Sequence, residues 1–217
     1  MTESIWAVVP FKDAPFAKSR FHEHLEVTQR GLLAQAMLRD ILSALNYSSR
    51  IAGTVVCSSS AYVKELNYEN TVLFEDHSSN LQTALTQACE FTKKQFNNPT
   101  ICIVPADIPL VQSHDINELL EQHHEVTVVP DAQQLGTNAL VISPPIVFEL
   151  VFDGQSFGPH LENIRAVGIE PKIVQMSSFA FDVDHFEDLF DVVEKASCSQ
   201  TASVIFNERL LETAATQ

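Results

Sequence analysis

Asp107, Asp182 and Asp184 are the residues whose types and spacing most readily suggest chemistry. Asp107 follows an unbroken apolar run and lies between two prolines in Pro105-Ala106-Asp107-Ile108-Pro109, which stiffen the loop and orient the carboxylate. Asp182 and Asp184 stand two apart in Phe179-Ala180-Phe181-Asp182-Val183-Asp184, and in an extended segment residues two apart project to one face. Two carboxylates on one side repel each other unless a divalent cation favours both anions. Magnesium prefers oxygen ligands, so Asp107 with this pair is read as a magnesium site. The plainer reading makes Asp107 a turn residue, with Ser113 the better cap for the next helix, and Asp184 a cap for a helix beginning near Phe186.

The cations gather elsewhere. Lys12, Lys18, Arg20 and Arg30 fall in one short stretch, and Lys12-Asp13-Ala14-Pro15-Phe16-Ala17-Lys18-Ser19-Arg20 directly follows the first apolar run. Lysine offers a mobile point charge and arginine a planar fork, so this loop, with Lys12 and Ser19 counted among its binding groups, suits a triphosphate. Gly136-Thr137-Asn138 supplies a flexible backbone, a hydroxyl and an amide for a substrate carboxylate or phosphate. Gly154-Gln155-Ser156-Phe157-Gly158 leads into a helix starting near Pro159, and helix N-termini attract anions; Gly154 and Ser156 are the candidate contacts there. The eight histidines have no metal-ligand spacing.

A scaffold must bring these groups together. Ile5–Val9, Gly53–Cys57, Val72–Phe74, Thr100–Val104, Val126–Val129 and Ala139–Ile142 are short runs rich in Val and Ile, as buried strands are. Helical patterns alternate with them: one capped by Thr28 and carrying Leu32, Leu33, Ala36, Met37, Ile41 and Leu45, then Leu81–Phe96 and Ile116–His123. Such alternation predicts an α/β fold, a three-layer, mostly parallel sheet with helices on both faces. Ligands in such sheets sit beyond the carboxyl ends of the strands. That is where Pro10-Phe11-Lys12, Pro105-Ala106-Asp107 and Pro130-Asp131 fall.

The chain of 217 residues is expected to form a single domain over 1–217, with 45% hydrophobic and 19% charged residues leaving little room for long disorder. A formal charge of −15 excludes long polyanions and anionic membrane surfaces as partners, so neither nucleic acid nor membrane is expected. Cys57, Cys89, Cys102 and Cys198 form no C-x-x-C pair, and no secretory leader precedes the first apolar run, which fits a cytoplasmic protein with reduced thiols. Cys57 and Cys102 read as packing residues. The stretch Ser203–Leu211 reads as a packed helix or, alternatively, the contact of a homodimer.

Taken together, these segments resemble the guanylyltransferases that make the phosphodiester intermediate of the deazaflavin coenzyme F-420, relatives of the molybdenum-cofactor guanylyltransferases with the same Rossmann-like nucleotidyltransferase sheet. The likeness rests on Val9-Pro10-Phe11-Lys12 with Ala17-Lys18-Ser19-Arg20, on Ala36-Met37-Leu38-Arg39-Asp40, and on Pro105-Ala106-Asp107-Ile108-Pro109. It extends through Pro130-Asp131 with Gly136-Thr137-Asn138-Ala139-Leu140, Ser156-Phe157, and Asp182-Val183-Asp184 with Glu187-Asp188-Leu189. The resemblance implies GTP attacked by the phosphate of 2-phospholactate, phosphoenolpyruvate or 3-phosphoglycerate, with release of pyrophosphate. It casts Asp107, Asp182 and Asp184 as magnesium ligands, Lys18 and Arg20 as triphosphate stabilisers, and Thr137 and Ser156 as holders of the acceptor phosphate.

Two departures stand out. Phe152-Asp153-Gly154-Gln155-Ser156-Phe157 puts Asp153 where the family has the first glycine of Phe-Gly-x-Gly-Ser-Phe. A carboxylate beside a phosphate is repulsive, so either Gly154 takes over that place or the acceptor differs. Asn80-Leu81-Gln82 stands where the family tends to have Gly-Leu-Asn near the nucleobase, which makes Gln82 the candidate base contact. These changes motivate two alternatives: transfer to another phosphorylated acceptor, or a nucleotide-binding regulator without turnover.

Overall fold

Residues 4–12 and 18–211 are described by a computed structural model of the chain. Among the described residues seven strands form one sheet: β1 (Ile5–Pro10), β2 (Ile51–Ser58), β3 (Thr71–Glu75), β4 (Thr100–Ile103), β5 (Val126–Pro130), β6 (Thr137–Ile142) and β7 (Lys172–Ile173). Their order is β3-β2-β1-β4-β6-β5-β7. All pairs are parallel except the two that β6 makes with β4 and β5, so the sheet is mostly parallel, as the alternation of elements predicts. The antiparallel β6 follows β5 after a short turn, a connection that only antiparallel neighbours allow.

The chain runs outward from β1 to β3 and then returns to lay β4 against the other side of β1. That reversal opens a crevice beyond the carboxyl ends of β1 and β4. Because β6 runs the opposite way, its first residues, Thr137 and Asn138, reach the same edge as the ends of β1, β4 and β5.

Strand residues alternate between two apolar layers, as a two-sided sheet requires. Ala7, Val9, Val56, Cys102, Val129 and Val141 pack in one layer with α1 (Val27–Asn46), through Leu33, Met37, Ile41 and Leu45, and with α4 (Ser113–Gln122). Val8, Val55, Cys57, Ile101, Ile103 and Leu140 pack in the other with α3 (Leu81–Gln95) and α5 (Phe157–Ala166). A five-residue helix, α2 (Ala61–Glu65), lies between β2 and β3. Cys57 and Cys102 are buried packing residues, and burial pushes both thiols up to about 12.

The C-terminal part folds as α6 (Ser177–Ala180), α7 (Asp188–Lys195) and α8 (Gln200–Asn207). Ile205 and Leu210 are buried, so Ser203–Leu211 packs on the body of the protein. Asp40 of α1 receives the N–H groups of Gln200 and Thr201 at 2.8 and 2.9 Å and the Thr201 hydroxyl at 2.6 Å, satisfying donors at the start of α8. Among the described residues no helix is long and apolar enough to cross a membrane.

The helix starts differ from the sequence expectation. Thr28 does not cap α1; Glu26 does, and its N–H donates to Gln29 Oε1 at 3.0 Å, so a reciprocal pair outcompetes the hydroxyl. Ser113 is likewise inside α4, with Gln112 as the cap and its N–H donated to Asp115 Oδ2 at 2.8 Å. Asp184 caps nothing, since α7 begins after Glu187. The helix expected from Pro159 starts at Phe157, directly after Ser156.

Candidate active site

Lys18 is the centre of the charged group. Its Nζ donates to Asp107 Oδ2 at 2.8 Å, lies 3.7 Å from Asp184 Oδ1, and also donates to the carbonyl of Val183. With 10% of its side chain exposed, it shares its single charge between two carboxylates that are each about a third exposed. Its backbone takes φ 48°, a left-handed conformation that costs an L-residue about 1–2 kcal/mol and that these charge-assisted bonds offset. Arg20, in the 3-10 turn Ser19–Phe21, donates to Asp184 Oδ2. Residues 13–17 of the basic loop and the Ser19 side chain lie outside the described residues.

The carboxylates are held by backbone stitching. Val183 N–H donates to the Asp107 carbonyl at 2.9 Å, joining the loop after β4 to the segment before α7. Val183 is fully buried, so Asp182 and Asp184 on either side of it both turn toward the cleft. Asp188 Oδ2 accepts from the N–H groups of Asp184 and His185 at 2.8 and 2.6 Å and fixes the end of that segment. Burial first, then the charges of Asp184 and Asp107, hold the Asp182 carboxyl above its ordinary range. The Asn138 amide donates to the Phe179 carbonyl at 2.8 Å and reaches Asp182 Oδ1 at 3.5 Å. Among the described residues no three His, Cys, Asp or Glu side chains converge as a ready-made metal cage.

Two hollows flank this centre. One, about 350 Å³, is walled by Pro10, Phe11, Lys12, Ala34, Met37 and Leu81 together with Lys18. The other, about 550 Å³, is lined by Thr137, Asn138, Gly154, Ser156 and Asp182. Both volumes suit small molecules. Arg20, Leu81, Pro105, Asp107 and Asp184 line both, so the two hollows meet on the charged centre.

The second hollow has a rigid wall. Asp131 accepts from Leu135 N–H at 2.9 Å and Gly136 N–H at 2.8 Å, folding the turn that delivers Thr137. A Cβ at position 136 would stand 2.9 Å from Asp131 Oδ2, so a larger residue there would push the carboxylate off the two N–H groups it accepts from. Thr137 Oγ1 lies 2.9 Å from Nδ1 of His160, whose Nε2 accepts from Val151 N–H at 3.0 Å. His160 is fully buried beside the rings of Phe148 and Phe152, and burial lowers its pKa to about 4. Ser156, the N-cap of α5, spends no side-chain bond on the helix.

The sequence departures have local explanations. Asp153 Oδ1 accepts from Gln155 N–H at 3.1 Å, and its side chain is turned to its own loop rather than lining the hollow. Gly154 takes φ 89° and lines the hollow in its place, a conformation suited to glycine. Gln82 donates to Glu149 Oε1 at 3.2 Å and lines neither hollow, whereas its neighbour Leu81 lines both. Arg30 is buried in α1, away from the lining. His160, Asp131 and Asp188 are the residues that sequence reasoning passed over as positioning groups. The signal for His160 was its place four residues after Ser156 on the same helix face.

Residues 5–207 match the family described as "Guanylyl transferase CofC like". A phosphoenolpyruvate guanylyltransferase of Rubrobacter xylanophilus is 31% identical over 86% of this chain and 92% of that protein. A 2-phospho-L-lactate guanylyltransferase of Methanothermobacter thermautotrophicus is 30% identical over 86% of this chain and 83% of its own. Among solved structures, a protein assigned as a nucleotide-diphospho-sugar transferase of Desulfovibrio desulfuricans G20 superposes with a TM-score of 0.76 at 17% identity, covering 98% of both chains. A nucleotidyl transferase of Methanothermobacter, TM-score 0.59 and 16% identical, covers 88% of this chain and 96% of its own, and both structures share the α/β nucleotidyltransferase sheet. With its sequence matched from the first strand to the last helix, the chain belongs to the CofC-like guanylyl transferase family.

Proposed function

We propose that this chain transfers GMP from GTP to the phosphate of a small phospho-acid, of the class that includes phosphoenolpyruvate, 2-phospholactate and 3-phosphoglycerate, and releases pyrophosphate. The observation that carries this reading is the meeting of the two hollows on Arg20, Asp107 and Asp184. One ligand in each hollow brings its reacting group to a shared charged centre. The relatives' names support the guanylyl group and the acceptor class, phosphoenolpyruvate in one and 2-phospho-L-lactate in the other.

In this scheme GTP occupies the hollow of Phe11, Met37 and Leu81, with its triphosphate toward Lys12, Lys18 and Arg20. The acceptor lies against Thr137, Asn138, Gly154 and Ser156. An acceptor phosphate oxygen forms a bond to the α-phosphorus, and the bond from that phosphorus to the bridging oxygen breaks, leaving with pyrophosphate. Holding two anions in line and offsetting their charge supplies most of the catalysis, and no covalent nucleophile is needed.

The donor set suits magnesium: Asp107, Asp182 and Asp184 offer only oxygen, and the ion customarily takes one or two carboxylates and fills its shell with phosphates and water. When bound, it would neutralise phosphate charge and polarise the phosphorus under attack. Lys18 would then exchange its carboxylate partners for phosphate oxygens. The product fits the deazaflavin coenzyme F-420 pathway, and the cytoplasm suits a chain whose four cysteines are all unpaired.

The test is pyrophosphate release by the purified chain with magnesium, crossing GTP, ATP and CTP against the three phospho-acids. Release that requires both GTP and a phospho-acid is the expected result. Release with GTP alone, or from no combination, contradicts the proposal.

A further inference from the structure

The hydrogen-bond partners of His160 fix more than its position. Val151 N–H, a donor with no lone pair to offer, points at Nε2 from 3.0 Å, so Nε2 must carry the lone pair. In a neutral imidazole the proton then sits on Nδ1, 2.9 Å from Thr137 Oγ1. A second ring proton would face the Val151 N–H directly, inside an apolar niche between Phe148 and Phe152. The Thr137 hydroxyl therefore accepts from His160, and its own proton is left for the hollow that Thr137 lines. Had the tautomer been reversed, the hydroxyl would spend its proton on the ring.

We infer that His160 is a positioning residue which, held as its Nδ1–H tautomer, commits the Thr137 hydroxyl to donate to an oxyanion of the acceptor. The inference rests on the acceptor reading proposed above and deepens it. A phosphate monoester presents acceptor oxygens in several directions, the kind of partner a committed donor matches. The side chain that sets this commitment never touches the ligand, since it is fully buried behind Thr137.

Two substitutions separate the two bonds. H160Q keeps a side-chain oxygen at the reach of Nε2 for the Val151 N–H and removes the Nδ1 donor, whereas H160N places an amide donor near Nδ1 for Thr137. In H160Q, KM for phosphoenolpyruvate should rise about tenfold, the scale of one aligned hydrogen bond, with KM for GTP unchanged. H160N should recover most of that loss. Nitrogen NMR of the wild-type imidazole should find the proton on Nδ1. A proton on Nε2, equal rises in both KM values, no rise in H160Q, or no recovery in H160N would each overturn the inference. If the wild-type chain transfers GMP to no phospho-acid, the acceptor reading falls, and calorimetric binding of phosphoenolpyruvate to wild type and H160Q decides the inference alone: equal affinity, or no binding, rejects it.

Discussion

Lys18 shows how single residues divide the work in the cleft: a nearly buried ammonium ties Asp107 to Asp184, so each of the three holds the geometry of the others. Asp107→Asn keeps the shape of the loop and removes one charge from the shared centre. Turnover should drop at least the ~10²–10³-fold typical of losing one stabilising group at a charged transition state. Steady-state pyrophosphate release measures this, and near-normal turnover would move the reacting centre elsewhere. Asp153 is the opposite case. Its carboxylate already serves Gln155 N–H, so Asp153→Gly should change the acceptor KM by no more than about twofold, the scale of a surface substitution. A clear improvement would mean that the carboxylate faces the ligand. Asp107, Asp182 and Asp184 were legible because prolines and a two-residue spacing mark them in the chain. His160 was not, because its spacing from Ser156 marks only a shared helix face, while its role comes from bonds to Thr137 and Val151 that the spacing does not encode.

The elements are held to one another by a few buried polar anchors. Asp40 joins α1 to the start of α8, and burial, outweighing its three hydrogen bonds, holds its carboxyl above the ordinary range. Asp40→Ala leaves those donors unsatisfied and should cost about 1–3 kcal/mol, read as a lower denaturant midpoint with an unchanged m-value. His160 anchors α5, and its pH signature has the opposite sign to that of a salt-bridged histidine. Its folded pKa of about 4 lies below the unfolded value of 6.5, so its stabilising contribution is complete above pH 6.5 and is lost as pH falls toward 4. Thermal unfolding from pH 7 to 4.5 should show wild type losing more stability than H160N; parallel profiles would contradict this. Strands were legible from Val and Ile runs, since buried parallel strands are apolar throughout. The reversed direction of β6 was not, because its residues read the same in either sense; only pairing with β4 and β5 fixes it.

At the scale of the whole molecule, a chain of net charge −15 concentrates a few cations at the point where its sheet changes direction. The topology explains the placement. Return of the chain to β4 sets the Asp107 loop beside the end of β1, and the antiparallel β6 brings Thr137 and Asn138 to that same edge from a strand that begins rather than ends there. Two ligand hollows sharing one charged wall are the consequence, and in the proposed reaction a phosphate from one side becomes joined to a phosphorus on the other. Phosphorus NMR of a reaction containing GTP, phosphoenolpyruvate, magnesium and the chain observes that bond directly. Transfer of GMP should give a new pair of mutually coupled phosphorus signals from the product anhydride together with the singlet of free pyrophosphate. Appearance of GDP in their place, or a spectrum that stays that of the two substrates, would contradict it.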